Sequence, residues 1–187
     1  MTRSSKTLFA GALLLANAVA ARAETTLTIS SWAPPNHHMT RVATMGWAAE
    51  VEKATQGRVK FQMLAKHPSS PPGAFDAVRD GLVDVSFSGT TYTPARHVVT
   101  MLAELPGGGA TALINSVAFH RIYWKHLHQA NEFKGVKLLS LFTHGPGHMF
   151  NTKRPINSVA DLRGLKIRTG GGAAEKLAQL LGISSLV

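Results

Sequence analysis

Polar and apolar residues alternate without a break over RVKFQML, 58–64: Val59, Phe61 and Met63 fall on one side, Arg58, Lys60 and Gln62 on the other. That period of two predicts a half-buried strand. TLTISSW, 26–32, is rich in β-branched residues and predicts another. Between them, residues 40–55 carry a helical period, with Trp47, Val51 and Ala54 sharing a face and Gly57 placed to end the helix. A Pro/Ser/Gly loop follows at 67–73, then a short helix in AFDAVRDGL stopped near Gly81, then a third strand at 83–88. The order β-α-β-α-β predicts a parallel sheet with right-handed crossovers. In such sheets ligands bind beyond the carboxyl ends of the strands. Here those ends are Trp32 with its loop, the 64–70 loop, and the run from Ser88 through Gly89 and Thr90 to Thr91.

The second half has the same character. LPGGG, 105–109, breaks the pattern and sets an expected lobe boundary, with one α/β lobe over 24–106 and a second, partial one over 107–187. Residues 112–131 read as a helix with Leu113, Val117 and Ile122 among its apolar positions. VKLLSLF, 136–142, predicts a buried strand, and Ser158 or Asp161 a cap on a short helical piece. LKIRT is a strand, GGAAEKLAQLLG a helix ending at Gly182, and ISSLV the opening of a further strand. No repeat of 20–50 residues is evident.

The first 23 residues stand apart. Arg3 and Lys6 precede an apolar run from Leu8 to Ala20, and Ala21-Arg22-Ala23 fits the small-x-small cleavage rule. This predicts a secretory signal peptide cut before Glu24; the run is short for a membrane span. The expected location is therefore the periplasm. Among 187 residues there is no cysteine, so neither a disulfide framework nor a thiolate metal site is available. Without Arg3, Lys6 and Arg22 the 20 Lys and Arg become 17 against 10 Asp and Glu, leaving a net +7. These charges are scattered, with no basic run of a nucleic-acid patch, so attraction to anionic solutes is the more modest inference.

Chemistry concentrates in DLRGLKIRTGGGAAEKL, 161–177. Arg168 ends a short strand and is followed by three glycines and a helix. An arginine fork, close-approach backbone and a helix N-terminus all favour an anion, although a solvated charge beside a tight turn would look the same. His144 and His148 flank Gly145-Pro146-Gly147, which forbids the helix on which i,i+4 histidines would share a metal; a histidine donating to a carboxylate is the alternative. His37 and His38 follow two prolines in a loop at a strand end, where His38 could touch a ligand. Nucleophile-elbow, zincin and phosphate-loop patterns are absent, so neither a catalytic residue nor a cofactor is assigned.

Several segments together resemble one family: WAPPNHH, GRVKFQML, FDAVRDGLVDVSFSGTTYTPAR, ELPG, GVKLLSLFTHGPGH and, most specifically, KRPINSVADLRGLKIR. Their order is similar to that of the DctP-type solute receptors of tripartite ATP-independent periplasmic (TRAP) transporters. The resemblance implies a two-lobed periplasmic-binding-protein-like α/β fold, mostly parallel in each lobe. It also implies a non-enzymatic monomer that closes over an organic acid and delivers it to a TRAP permease in the membrane. It implies that Arg168 pairs with the ligand carboxylate, with His148, Thr90, Gly89 and His38 offering polar contacts and Trp32 packing on the ligand body. Sialic-acid-binding members carry a second arginine where this chain has His148, an acidic residue near Gly89-Thr90, and a small amide at Trp32. One arginine, a histidine and an indole suggest a single carboxylate on an apolar or aromatic body. Family members run well beyond residue 187, so a C-terminally truncated second lobe is expected. An exported hydrolase, or a cationic domain for polyanions or anionic lipid, is the rival reading.

Overall fold

The computed structural model describes residues 24–105 and 107–186. The expected signal peptide, 1–23, lies outside them. The chain divides into two compact units, Met1–Lys66 and His67–Val187. Units of packing need not coincide with lobes that move about a ligand, so this division does not bear on the lobe boundary expected near 106.

In the first unit, β1 (Thr25–Ser30) pairs in parallel with β2 (Val59–Met63), with Leu27 opposite Phe61. The helix between them is α1 (Met45–Ala54), preceded by a π-helical turn, Met39–Thr44. Ile29 and Ser30 are fully enclosed and Ala48 nearly so. The buried face of α1 therefore centres on Ala48, while Trp47 and Ala54 of the expected face are exposed. Trp47 still packs its ring on Phe61, with centroids 5.2 Å apart. Gln56 and Gly57 both adopt left-handed backbone, and the Gly57 N–H bonds the Glu52 carbonyl at 2.9 Å, so the helix ends where glycine permits it.

The second unit opens with α2 (Ala74–Arg79) and the two-residue strand β3 (Val85–Ser86). Its core is aromatic. His97, fully enclosed, lies edge-on to Phe75 at 5.6 Å and against Phe133 at 5.1 Å, and Tyr123 meets Phe133 at 5.9 Å. The His97 Nδ1 shares a 2.8 Å hydrogen bond with the Thr93 hydroxyl, and its Nε2 has no partner among the described residues. Burial pushes the His97 pKa down; the nearby Glu132 carboxylate opposes this without reversing it. Glu132 itself accepts from the backbone N–H groups of Val99 and Thr100, fixing the start of the 3₁₀ turn Thr100–Glu104.

Helix α3 (Ala112–Ile122) is capped by Thr111, whose hydroxyl accepts from the Ile114 N–H. Its expected apolar face is not buried: Leu113, Val117 and Ile122 are exposed, and the helical segment turns inward only at Tyr123. Residues 136–142 do not form the expected strand. Main-chain donors at its end go instead to α3 side chains: Leu141 N–H to His120 Nδ1 and Thr143 N–H to the Ser116 hydroxyl. A segment whose donors are already satisfied sideways has less to gain from a ladder.

The last part builds β4 (Lys166–Arg168), α4 (Gly172–Leu180) and β5 (Ser184–Leu186). β4 and β5 pair in parallel, Arg168 opposite Leu186, as a short βαβ unit. Leu162, Leu165, Ala178 and Ile183 form its core. Ser158 and Asp161 both act at the turn before it, forming a reciprocal capping box on Val159–Leu162. Parallel pairing with an intervening helix in each unit is the α/β class expected.

Candidate functional site

The second unit brings together four of the elements singled out above. Arg168 stands at the carboxyl end of β4, its side chain exposed, because the strand alternates and only Ile167 turns inward. No ion pair holds its guanidinium among the described residues. Its polar contact is an Nη2–H directed at the Tyr92 hydroxyl at 3.4 Å. That is long for a hydrogen bond.

Tyr92 is delivered by the 3₁₀ turn Thr90–Tyr92, which begins at Gly89. The Tyr92 N–H returns to the Gly89 carbonyl at 3.2 Å. A Cβ at Gly89 would lie 3.0 Å from Tyr92 Cδ2 and Cε2, so the ring rests on the space that glycine leaves. Gly89 and Thr90 thus sit beside the Arg168–Tyr92 pair, through the turn that aims Tyr92.

The glycine run after Arg168 has a specific shape. Gly171 (φ 83°, ψ −164°) and Gly172 (φ 59°) occupy backbone that side-chain-bearing residues avoid. A Cβ at Gly172 would come within 2.5 Å of Met101 Cε and 2.9 Å of Glu104 Oε2. The Glu104 carboxylate therefore stands beside the first turn of α4. The turns Thr90–Tyr92 and Thr100–Glu104 pack on each other and on α4. Burial pushes the Glu104 carboxyl above its usual range, while the charge of nearby His144 and the Ala173 N–H pull the other way. An internal carboxylate thus stands next to the N-terminus that sequence reasoning offered to an external anion.

The remaining expected residues are placed separately. His148 is exposed in the irregular segment after residue 142, and the ring of His144 bonds its neighbour, the Gly145 carbonyl. Trp32 and His38 belong to the first unit. Trp32 is half-buried at the end of β1; His38 is exposed at the start of the π turn, its ring 4.4 Å from that of His37. Their loop is tied by Thr40, whose hydroxyl meets the Ala33 carbonyl at 3.1 Å and the Ser31 hydroxyl at 2.6 Å. Among the described residues no cluster of His, Asp or Glu could hold a metal. Sequence reasoning missed Tyr92 and Glu104. The only signals were an aromatic residue just past a strand end and the acid opening ELPG.

Comparison with known proteins agrees with this architecture. The DctP family model, described as bacterial extracellular solute-binding protein, family 7, matches residues 29–186. The outer membrane transporter protein TsaT of Comamonas testosteroni is 31% identical over 176 residues, covering 94% of this chain and 52% of TsaT. A solved TRAP periplasmic solute-binding protein of Bordetella bronchiseptica, bound to (R)- and (S)-mandelate, superposes with TM-score 0.83 at 46% identity, over 87% of this chain and 51% of that one. A marine metagenome TRAP protein specific for aromatic acids, in complex with 3-hydroxybenzoate, gives TM-score 0.81 at 28% identity over 88% and 51%. The chain thus spans about half the length of these relatives. Their two-lobed α/β architecture is the one expected from the sequence. The chain belongs to the DctP family of bacterial extracellular solute-binding proteins.

Proposed function

We propose that this chain is the ligand-holding part of an extracytoplasmic receptor for a monocarboxylic acid with an aromatic body, which it passes to a TRAP permease. The observation that carries the reading is Arg168: an exposed guanidinium at a strand end, without an ion pair among the described residues, beside the hydroxyl of Tyr92. A guanidinium fork takes a carboxylate bidentately. Mandelate and 3-hydroxybenzoate, the ligands of the two solved relatives, each carry one carboxylate on an aromatic ring, which supports the choice of ligand class.

In this reading Thr90, Gly89 and His148 line the polar side. Binding involves no bond making. Closure excludes water and strengthens the ion pair. The signal peptide, cut before Glu24, delivers the receptor to the periplasm. The test is a thermal-shift panel on the purified protein. Mandelate, benzoate and 3-hydroxybenzoate should raise Tm in a concentration-dependent way, and the neutral amide of mandelate should not. A shift with the amide equal to that with the acid would refute the carboxylate reading.

A further inference from the structure

The backbone and the side chain of Arg168 are held very differently. At the carboxyl end of β4 the residue lies opposite Leu186 of β5, and the next donor, the Thr169 N–H, bonds the Leu186 carbonyl at 2.7 Å. The main chain is therefore fixed by a parallel ladder. The side chain is exposed, has no ion pair among the described residues, and carries the large rotamer freedom of any arginine. The polar group that meets its fork is the Tyr92 hydroxyl, 3.4 Å from Nη2. Tyr92 is itself seated. It closes the 3₁₀ turn Thr90–Tyr92, and its N–H returns to the Gly89 carbonyl at 3.2 Å. Its ring takes the side-chain space of Gly89, where a Cβ would lie 3.0 Å from both Cδ2 and Cε2. The turn packs on α4 and on the turn Thr100–Glu104. A fixed phenol oxygen is thus directed at the flexible end of Arg168.

We propose that Tyr92 is a positioning residue for Arg168: its hydroxyl accepts from Nη2 and narrows the orientations of the guanidinium fork before a carboxylate arrives, with Gly89 as the seat of its ring. The ground is entropic. A bidentate pair needs the fork in one plane and one direction, and a side chain ordered beforehand does not lose that freedom on binding. A contact of 3.4 Å steers the fork without locking it. The role differs from that of a ligand contact, because Tyr92 acts through Arg168. It rests on the proposed reading of Arg168 as the carboxylate holder.

The experiment is a double-mutant cycle on the purified protein, with mandelate binding read by calorimetry in the parent, Tyr92→Phe, Arg168→Ala and the double variant. Tyr92→Phe keeps the ring on Gly89 and removes the oxygen. It should weaken binding about 3- to 10-fold in the parent, and by under about 2-fold once Arg168 is alanine. Equal losses in the two backgrounds would overturn the inference, because the phenol would then act on the acid itself. An unchanged affinity in folded Tyr92→Phe would overturn it too, while leaving Arg168 untouched. A second readout needs no acid: rotation about the Arg168 Nε–Cζ bond, followed by nitrogen NMR, should be faster in Tyr92→Phe than in the parent. Equal rates would rule out the positioning role. Thermal melting confirms that the variants fold. Absence of mandelate binding in the parent would instead defeat the underlying reading, and this inference with it.

Discussion

Gly172→Ala tests the fitted turn after β4 directly. The residue sits at φ +59°, and an added Cβ would lie 2.5 Å from Met101 Cε and 2.9 Å from Glu104 Oε2. Left-handed backbone costs a non-glycine residue about 1–2 kcal/mol. The Met101 thioether is flexible and can swing away cheaply. The half-buried Glu104 carboxylate has less room to yield, and overpacking of this kind costs about 1–3 kcal/mol. Alanine recovers a little through the unfolded chain, about 0.4–1 kcal/mol. The net loss is about 2–4 kcal/mol, which for a chain of this size lowers Tm by roughly 5–15 °C. Thermal unfolding followed by circular dichroism reads this. Gly170→Ala is the control, because a Cβ there meets nothing within 4 Å and its φ is not positive; it should stay near the parent. A Gly172→Ala melt within a degree or two of Gly170→Ala would refute the argument.

Two further expectations follow from buried and capping groups. His97 has its folded pKa depressed by burial, so its contribution is complete above about pH 6.5 and is lost as pH falls from there through the folded value. His97→Phe should therefore lose less stability between pH 6.5 and 5 than the parent in urea titrations; parallel losses would exclude His97 as the cause. At the capping box, the Ser158 hydroxyl is the largest influence holding the Asp161 carboxyl below its ordinary range, followed by backbone N–H groups of Asn157 and Ser158. Ser158→Ala should move the Asp161 titration upward in carbon-detected NMR, and an unmoved titration would remove the hydroxyl from that role.

Local features were legible and distant ones were not. The strand at 58–64 could be read because alternation is a property of the segment alone, and β2 falls within it. The strand–glycine–helix run from Lys166 to Leu180 was legible for the same reason. VKLLSLF failed because its end is tied by Ser116 and His120, residues on a helix more than twenty positions away. The α1 face was misjudged because the helix turns its small Ala48 inward, while the larger Trp47 stays partly exposed against Phe61. At the site, Arg168 could be singled out from its neighbours. Tyr92 is 76 residues removed from it, and Glu104 stands beside Gly172 across a similar gap. No period or spacing joins such pairs; only the packing of two short turns on α4 does.

The central claim is that the Arg168 guanidinium grips the carboxylate of an aromatic acid. Calorimetric titration of mandelate into the full-length protein and its Arg168→Ala variant tests it most directly. Truncating one partner of a buried charge pair costs about 2–5 kcal/mol, so the variant should bind at least about 30-fold more weakly. Arg168→Lys, which keeps the charge but not the fork, should fall between the two. Equal affinity in the parent and in Arg168→Ala would contradict the account.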